Sequence, residues 1–117
     1  MLQGRHDVHT YGDDIPLYCA VDVCDDTAYV RPVGELDIAT VPLVDKRLVQ
    51  ARAPGVSRVI LDLRGVTFID STGLHLALAW HQRARSERFG FALIQGPEPV
   101  RRTIDLAGIA RAFTFVE

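Results

Sequence analysis

The amino-acid sequence predicts an α/β domain: a mixed, mostly parallel sheet of about five strands, opened by an N-terminal β-hairpin and packed against about three helices. Three observations carry this. Two β-prone runs near the start are separated by a short polar break. A nearly continuous apolar run, Val59, Ile60, Leu61 and Leu63, has the composition of a strand covered on both faces. Segments with helical apolar spacing then alternate with further short apolar runs, which is the pattern of parallel crossover units.

Residues 1–15 mix His6, Asp7, His9, Gly12, Asp13 and Asp14 without periodicity, so they are read as a flexible lead, with 16–117 as one domain. Residues 17–23 and 28–33 form the hairpin, and Cys24, Asp25, Asp26 and Thr27 are its turn. Thr40 is a candidate N-cap for a first helix whose opening turn tolerates Pro42. Val41, Val44, Leu48 and Ala51 then share a face opposite Lys46, Arg47 and Gln50, and Pro54-Gly55 stop the helix. The run 59–63 should be the central strand. A loop over 64–70 leads to a second helix over 72–87, buried at its apolar start and solvated at Arg83, Arg85, Glu87 and Arg88. Residues 91–94 make a short strand. Pro97 opens a third helix in which Val100, Ile104 and Ala107 recur at helical spacing before Gly108, and 113–116 is the closing strand.

At 117 residues and 48% hydrophobic, the chain buries a core without needing metals or disulfides. Thirteen basic against fifteen acidic residues give a formal charge of -2, so no global positive field holds nucleic acid or an anionic membrane. The expected partners are proteins. Cys19 and Cys24 stand roughly 16 Å apart if they share a strand, too far to pair. Two such thiols without a charged-then-apolar leader point to a cytoplasmic protein. Residues 74–80, the most apolar stretch, fall well short of the roughly 20 that span a bilayer and are interrupted by His75.

Chemistry concentrates in Phe68-Ile69-Asp70-Ser71-Thr72-Gly73-Leu74, where a strand-following loop becomes a buried helix. Ser71 or Thr72 is expected at the helix N-cap, and Gly73 admits close approach of a neighbouring backbone. Read alone, the run is a helix cap. Enzyme readings do not fit. A nucleophile elbow needs glycine two before and two after the serine, but Ile69 takes the first place and only Gly73 the second. An aspartic-protease loop needs glycine two after the aspartate, where Thr72 stands, and a second copy of the motif. Asp70, Ser71 and His75 share a neighbourhood, yet no oxyanion or pocket motif accompanies them, so no catalysis is expected.

No metal site is expected either, because His75 and His81 point to different helix faces and His6 and His9 lie in the lead. Neither the dinucleotide fingerprint nor the P-loop is present, so no cofactor is expected. Arg83, Arg85, Arg88 and Arg101-Arg102 lack interleaved aromatics and read as solvated helix ends.

Taken in order, Gly34-Glu35-Leu36-Asp37, Val59-Ile60-Leu61-Asp62-Leu63 and Phe68-Ile69-Asp70-Ser71-Thr72-Gly73-Leu74 resemble the STAS-domain anti-sigma factor antagonists. Ile104-Asp105-Leu106-Ala107-Gly108-Ile109 is similar to that family's last helix and turn, so the resemblance covers about residues 17–117. It implies a single STAS domain and a partner-switching role. Unphosphorylated, such a protein binds an anti-sigma factor that is also a serine/threonine kinase and so releases the sigma factor. Phosphorylation of the residue after the loop aspartate, here Ser71, ends the binding, and a phosphatase acting on phospho-Ser71 restores it. The resemblance implicates Asp37 in engaging the kinase, and places Asp37, Asp70, Ser71, Thr72 and Gly73 on the partner-binding surface. From the residues alone, Gly34 to Asp37 is also a strand end followed by a turn.

A phosphoserine adds about -1.5 to -2 charge at neutral pH. Beside Asp70 it would repel an acidic partner surface and obstruct docking, while the helix N-terminus favours the anion, so the domain need not unfold. The alternative is a scaffold or accessory subunit of a signalling or transport complex, in which Ser71 only caps its helix.

Overall fold

A computed structural model describes residues 6–8 and 17–117. Within the lead, His6–Val8 form β1, paired antiparallel with the next strand in the register His6 to Val21, Asp7 to Ala20 and Val8 to Cys19. The expectation for the rest of 1–15 lies outside the described residues.

β2 (Leu17–Cys24) and β3 (Thr27–Leu36) form the predicted hairpin, each longer than read. Its turn narrows to Asp25 and Asp26, with Asp25 at φ 58°, a left-handed conformation that aspartate tolerates better than most residues. There follow α1 (Val41–Ala51), β4 (Arg58–Asp62), β5 (Val66–Ile69), α2 (Ser71–Glu87), β6 (Gly90–Ile94), α3 (Glu98–Leu106), a 3₁₀ turn at Ala110–Ala112 and β7 (Phe115–Val116). The sheet runs β1-β2-β3-β4-β6-β7, with β5 also on β3. β1, β2 and β3 pair antiparallel, while β3–β4, β3–β5, β4–β6 and β6–β7 are parallel. The mixed, mostly parallel sheet is therefore as predicted, with β1 and β5 raising the strand count to seven.

β5 corrects the expected loop over 64–70. β4 pairs with Thr27–Val30 and β5 with Gly34–Leu36, so the two are halves of one path along β3. Between them the chain bulges: the Leu63 amide donates to the Ile94 carbonyl at 3.0 Å and the Gly34 amide to the Gly65 carbonyl at 3.0 Å. The register shifts between Gly34 and Glu35, and Gly34 has φ 124°, which only glycine adopts without strain. Asp62 holds the bulge by accepting from the Arg64 amide at 3.0 Å and from its guanidinium at 3.0 and 2.8 Å. Burial pushes the Asp62 carboxyl up, but the Arg64 bonds and the charges of Arg64 and Arg31 outweigh it and hold it below the usual value.

The helices and one sheet face share a single core, built from Leu17, Cys19, Val30, Leu36, Val59, Leu61 and Leu93 on the strands and Val44, Leu48, Leu74, Trp80, Val100 and Ile104 on the helices. A smaller cluster, Ile60, Ala92 and Ile94 with Tyr29 and Val116, occupies the other face. β4 is thus buried on both sides, as its unbroken apolar run requires. α1 buries Leu43, Val44, Leu48 and Ala51. The Trp80 indole N–H crosses from α2 to donate to Asp45 of α1 at 2.8 Å. Ala107, expected on the buried face of α3, is exposed because it already stands at the C-cap. Phe113 is a core residue ahead of β7, which is shorter than the expected 113–116. Cys19 and Cys24 are both unbridged, and burial pushes the Cys19 thiol up to about 12.

Candidate functional site

The parallel register of β3 and β5 sets Leu36 opposite Ile69, so each chain leaves the sheet at the same level. Asp37 and Asp70 therefore begin adjacent loops, and the Asp70 amide donates to the Leu36 carbonyl at 3.3 Å. At the first loop, Asp37 Oδ1 accepts from the Ala39 amide at 3.0 Å and the Thr40 amide at 3.2 Å. The wholly buried Thr40 donates its hydroxyl to the Glu35 carbonyl at 2.7 Å and accepts from the Asp37 amide at 3.0 Å. Thr40 occupies the predicted cap position of α1, but its hydroxyl points back to β3 and makes no cap bond to the helix. The strand-end-and-turn role read for Gly34 to Asp37 is present in this geometry.

At the second loop the cap is Asp70, not Ser71 or Thr72 as expected. Its Oδ1 accepts from the Thr72 amide at 2.9 Å, the Gly73 amide at 3.2 Å and the Thr72 hydroxyl. A carboxylate takes the position from a hydroxyl because it satisfies two orphan amides at once and carries the charge that the helix N-terminus favours. Ser71 becomes the first residue of α2 and is exposed. Thr72 is half-buried with its hydroxyl on Asp70. Gly73 serves close approach as predicted: a Cβ there would stand 2.7 Å from Ile69 Cγ1 and 2.9 Å from the Leu36 carbonyl oxygen.

Desolvation pushes the Asp70 carboxyl up, but the bond from the Thr72 hydroxyl and the amides of Gly73, Thr72 and Ile38 outweigh it and lower it from 3.8. The bond from the Asp70 amide to the Leu36 carbonyl holds this segment beside the start of the Asp37 loop. A native value below the unfolded one means that Asp70 stabilises the fold above 3.8 and that this contribution is lost as pH falls through the native value. Asp70→Ala should lower stability by about 1–2 kcal/mol at neutral pH. Urea unfolding of parent and variant should converge on acidification below 3.8. An undiminished gap at the acid end would contradict the assignment of the cap.

His75 is exposed on α2, and His81 packs edge-on against Phe113 at 5.8 Å. Among the described residues no three His, Cys, Asp or Glu converge to hold a metal. One surface residue next to the site was not assigned to it from the sequence, Ile38, 74% exposed in the Asp37 loop; Phe68, which opens the 68–74 segment, is 50% exposed on β5. The available signal for Ile38 was an isoleucine ahead of the apolar face of α1, set between residues that form a turn.

The family model for the STAS domain matches residues 18–117. Over 85 residues the chain is 32% identical to the anti-sigma-B factor antagonist of Staphylococcus epidermidis, covering 73% of this chain and 79% of that protein. An anti-sigma factor antagonist from Mycobacterium paratuberculosis superposes with a TM-score of 0.75 at 26% identity, over 92% of this chain and 89% of that one. SpoIIAA has the same fold in its unphosphorylated form, with a TM-score of 0.68 at 21% identity over 85% of this chain and 88% of that one. In the phosphorylated form the TM-score is 0.63 at 20% identity, over 85% and 91%. From the motifs, the sheet order and these matches together, the chain belongs to the STAS-domain family of anti-sigma factor antagonists.

Proposed function

We propose that this protein is an anti-sigma factor antagonist that acts by partner switching, with Ser71 as the switch. With Ser71 unmodified it docks on a cytoplasmic anti-sigma factor that is also a serine/threonine kinase, and the sigma factor is released. Phosphorylation of Ser71 by that kinase ends the docking, and a phosphatase acting on phospho-Ser71 restores it. The observation that carries this reading is the exposure of Ser71 at the first position of α2 while Asp70 does the capping. The hydroxyl is accessible to a partner. The scaffold alternative treated Ser71 as the helix cap, a position that Asp70 holds instead.

Transfer of the phosphoryl group belongs to the kinase; this chain supplies the accepting hydroxyl. A kinase poised on Ser71 presents the anionic phosphates of its nucleotide there, so a phosphate already on Ser71 meets like charge from the partner as well as from Asp70. The N-terminus of the 17-residue α2 stabilises the added anion locally, so the fold is retained while the surface becomes repulsive. The match to SpoIIAA in both its unphosphorylated and phosphorylated forms supports a switch of this kind. Asp37, Asp70, Thr72 and Gly73 shape the docking surface around Ser71. Among the described residues no helix is long and apolar enough to cross a membrane. Nucleic acid and membrane have no part in the proposed cycle.

Phosphosite mapping tests this. After incubation with ATP and the anti-sigma kinase partner, mass spectrometry should find one phosphate, on Ser71, and none on Ser71→Ala. A phosphate on Thr72 in the unmodified protein, or labelling undiminished by Ser71→Ala, would sink the assignment.

A further inference from the structure

We infer that Ile38, on the loop that carries Asp37, is the anchor that selects the kinase partner, entering an apolar socket rimmed by lysine or arginine. The inference rests on the reading of Ser71 given above. Ile38 is 74% exposed, yet its loop is pinned by the Asp37 carboxylate on the Ala39 and Thr40 amides and by the buried Thr40 hydroxyl. A β-branched side chain on such a loop loses little freedom when a partner covers it. Its position makes that covering necessary. The Asp70 amide donates to the Leu36 carbonyl at 3.3 Å, two residues ahead of Ile38, and Asp70 directly precedes Ser71, so a partner that brings a nucleotide phosphate to Ser71 also reaches this loop.

The two segments that meet at the site carry carboxylates and no lysine or arginine of their own. No lysine or arginine occurs between Arg31 and Lys46 or between Arg64 and Arg83, whereas Glu35, Asp37 and Asp70 all fall there. Phe68, 50% exposed, stands in register with Glu35 on the strand that leads into the loop. A protruding apolar residue inside a charged rim is the layout of an interface hot spot, and the matching surface is cationic around an apolar depression. Ser71 itself faces the nucleotide, whose phosphates are the acidic partner surface expected there, while Glu35 and Asp37 face that rim.

Calorimetric titration of the purified kinase captured by the Ser71→Ala protein tests the inference. Ile38→Ala should bind about 10- to 100-fold more weakly, the loss expected from one uncovered aliphatic side chain. Glu35→Lys should also bind more weakly and show a smaller decline with added salt. Val49→Ala, an exposed change near the far end of α1, should bind as the parent does. All three variants should melt with the parent, because the changed side chains are exposed. An Ile38→Ala protein that binds within twofold of the parent, in a background where Ser71→Asp still abolishes binding, overturns the anchor and leaves the Ser71 reading intact. If the Ser71→Ala protein captures no kinase, the Ser71 reading fails and the anchor falls with it.

Discussion

Gly73→Val lowers the unfolding free energy by about 3 kcal/mol, because the third residue of α2 has no room for a side chain. A Cβ there would meet Ile69 Cγ1 at 2.7 Å, the Leu36 carbonyl oxygen at 2.9 Å and Leu36 Cγ at 3.0 Å. Leu36 is wholly buried and its carbonyl takes the Asp70 amide, so the backbone cannot retreat without disturbing the cap. Gly73→Ala makes the same contacts with one carbon and recovers about 1 kcal/mol of helix propensity, so it should lose less. Urea melts of the pair check this, and a valine variant as stable as the parent would show that the N-terminus of α2 can shift freely. The same substitution should also weaken partner binding, since it moves Ser71 relative to the Asp37 loop.

Ser71→Asp loses at least about 100-fold in affinity for the kinase partner, since a like charge set into an interface costs several kcal/mol. Ser71→Ala keeps binding and can no longer be switched. Quantitative capture with the two variants as baits, read by mass spectrometry, separates them: an ATP-binding partner is held by the alanine form and absent from the aspartate form. Equal recovery by both baits would favour a passive scaffold. Amide-exchange protection should be the same in both variants away from the start of α2, because Ser71 is exposed and the cap is Asp70.

The hairpin, the central strand and the three helices were legible because their signals are local. A polar break of four residues marks the turn, Val59 to Leu61 lack any polar interruption, and α1 keeps its apolar residues at helical spacing. β5 was not legible. Its pattern buries Val66 and Ile69 and exposes Thr67 and Phe68, which is not the alternation of a half-buried strand, because it continues β4 after a bulge. β1 is three residues long and depends on β2 for its existence. At the site, the residues of the Asp70–Gly73 segment were found but their division of labour was not. Any of three side chains can cap a helix, and which one does so depends on how Asp70 leaves β5 beside Leu36. Ile38 and Thr40 were missed as site residues for the same reason. Their burial and exposure follow from the pairing of β3 with β5, which comes after α1 and β4 in the chain.

Titrating the kinase with this protein before and after stoichiometric phosphorylation, at matched nucleotide concentration, tests the switch most directly. The unmodified form should bind tightly, the form carrying phosphate on Ser71 should show no detectable binding, and binding should recover once a phosphatase removes the phosphate. Equal affinity of the two forms would contradict it.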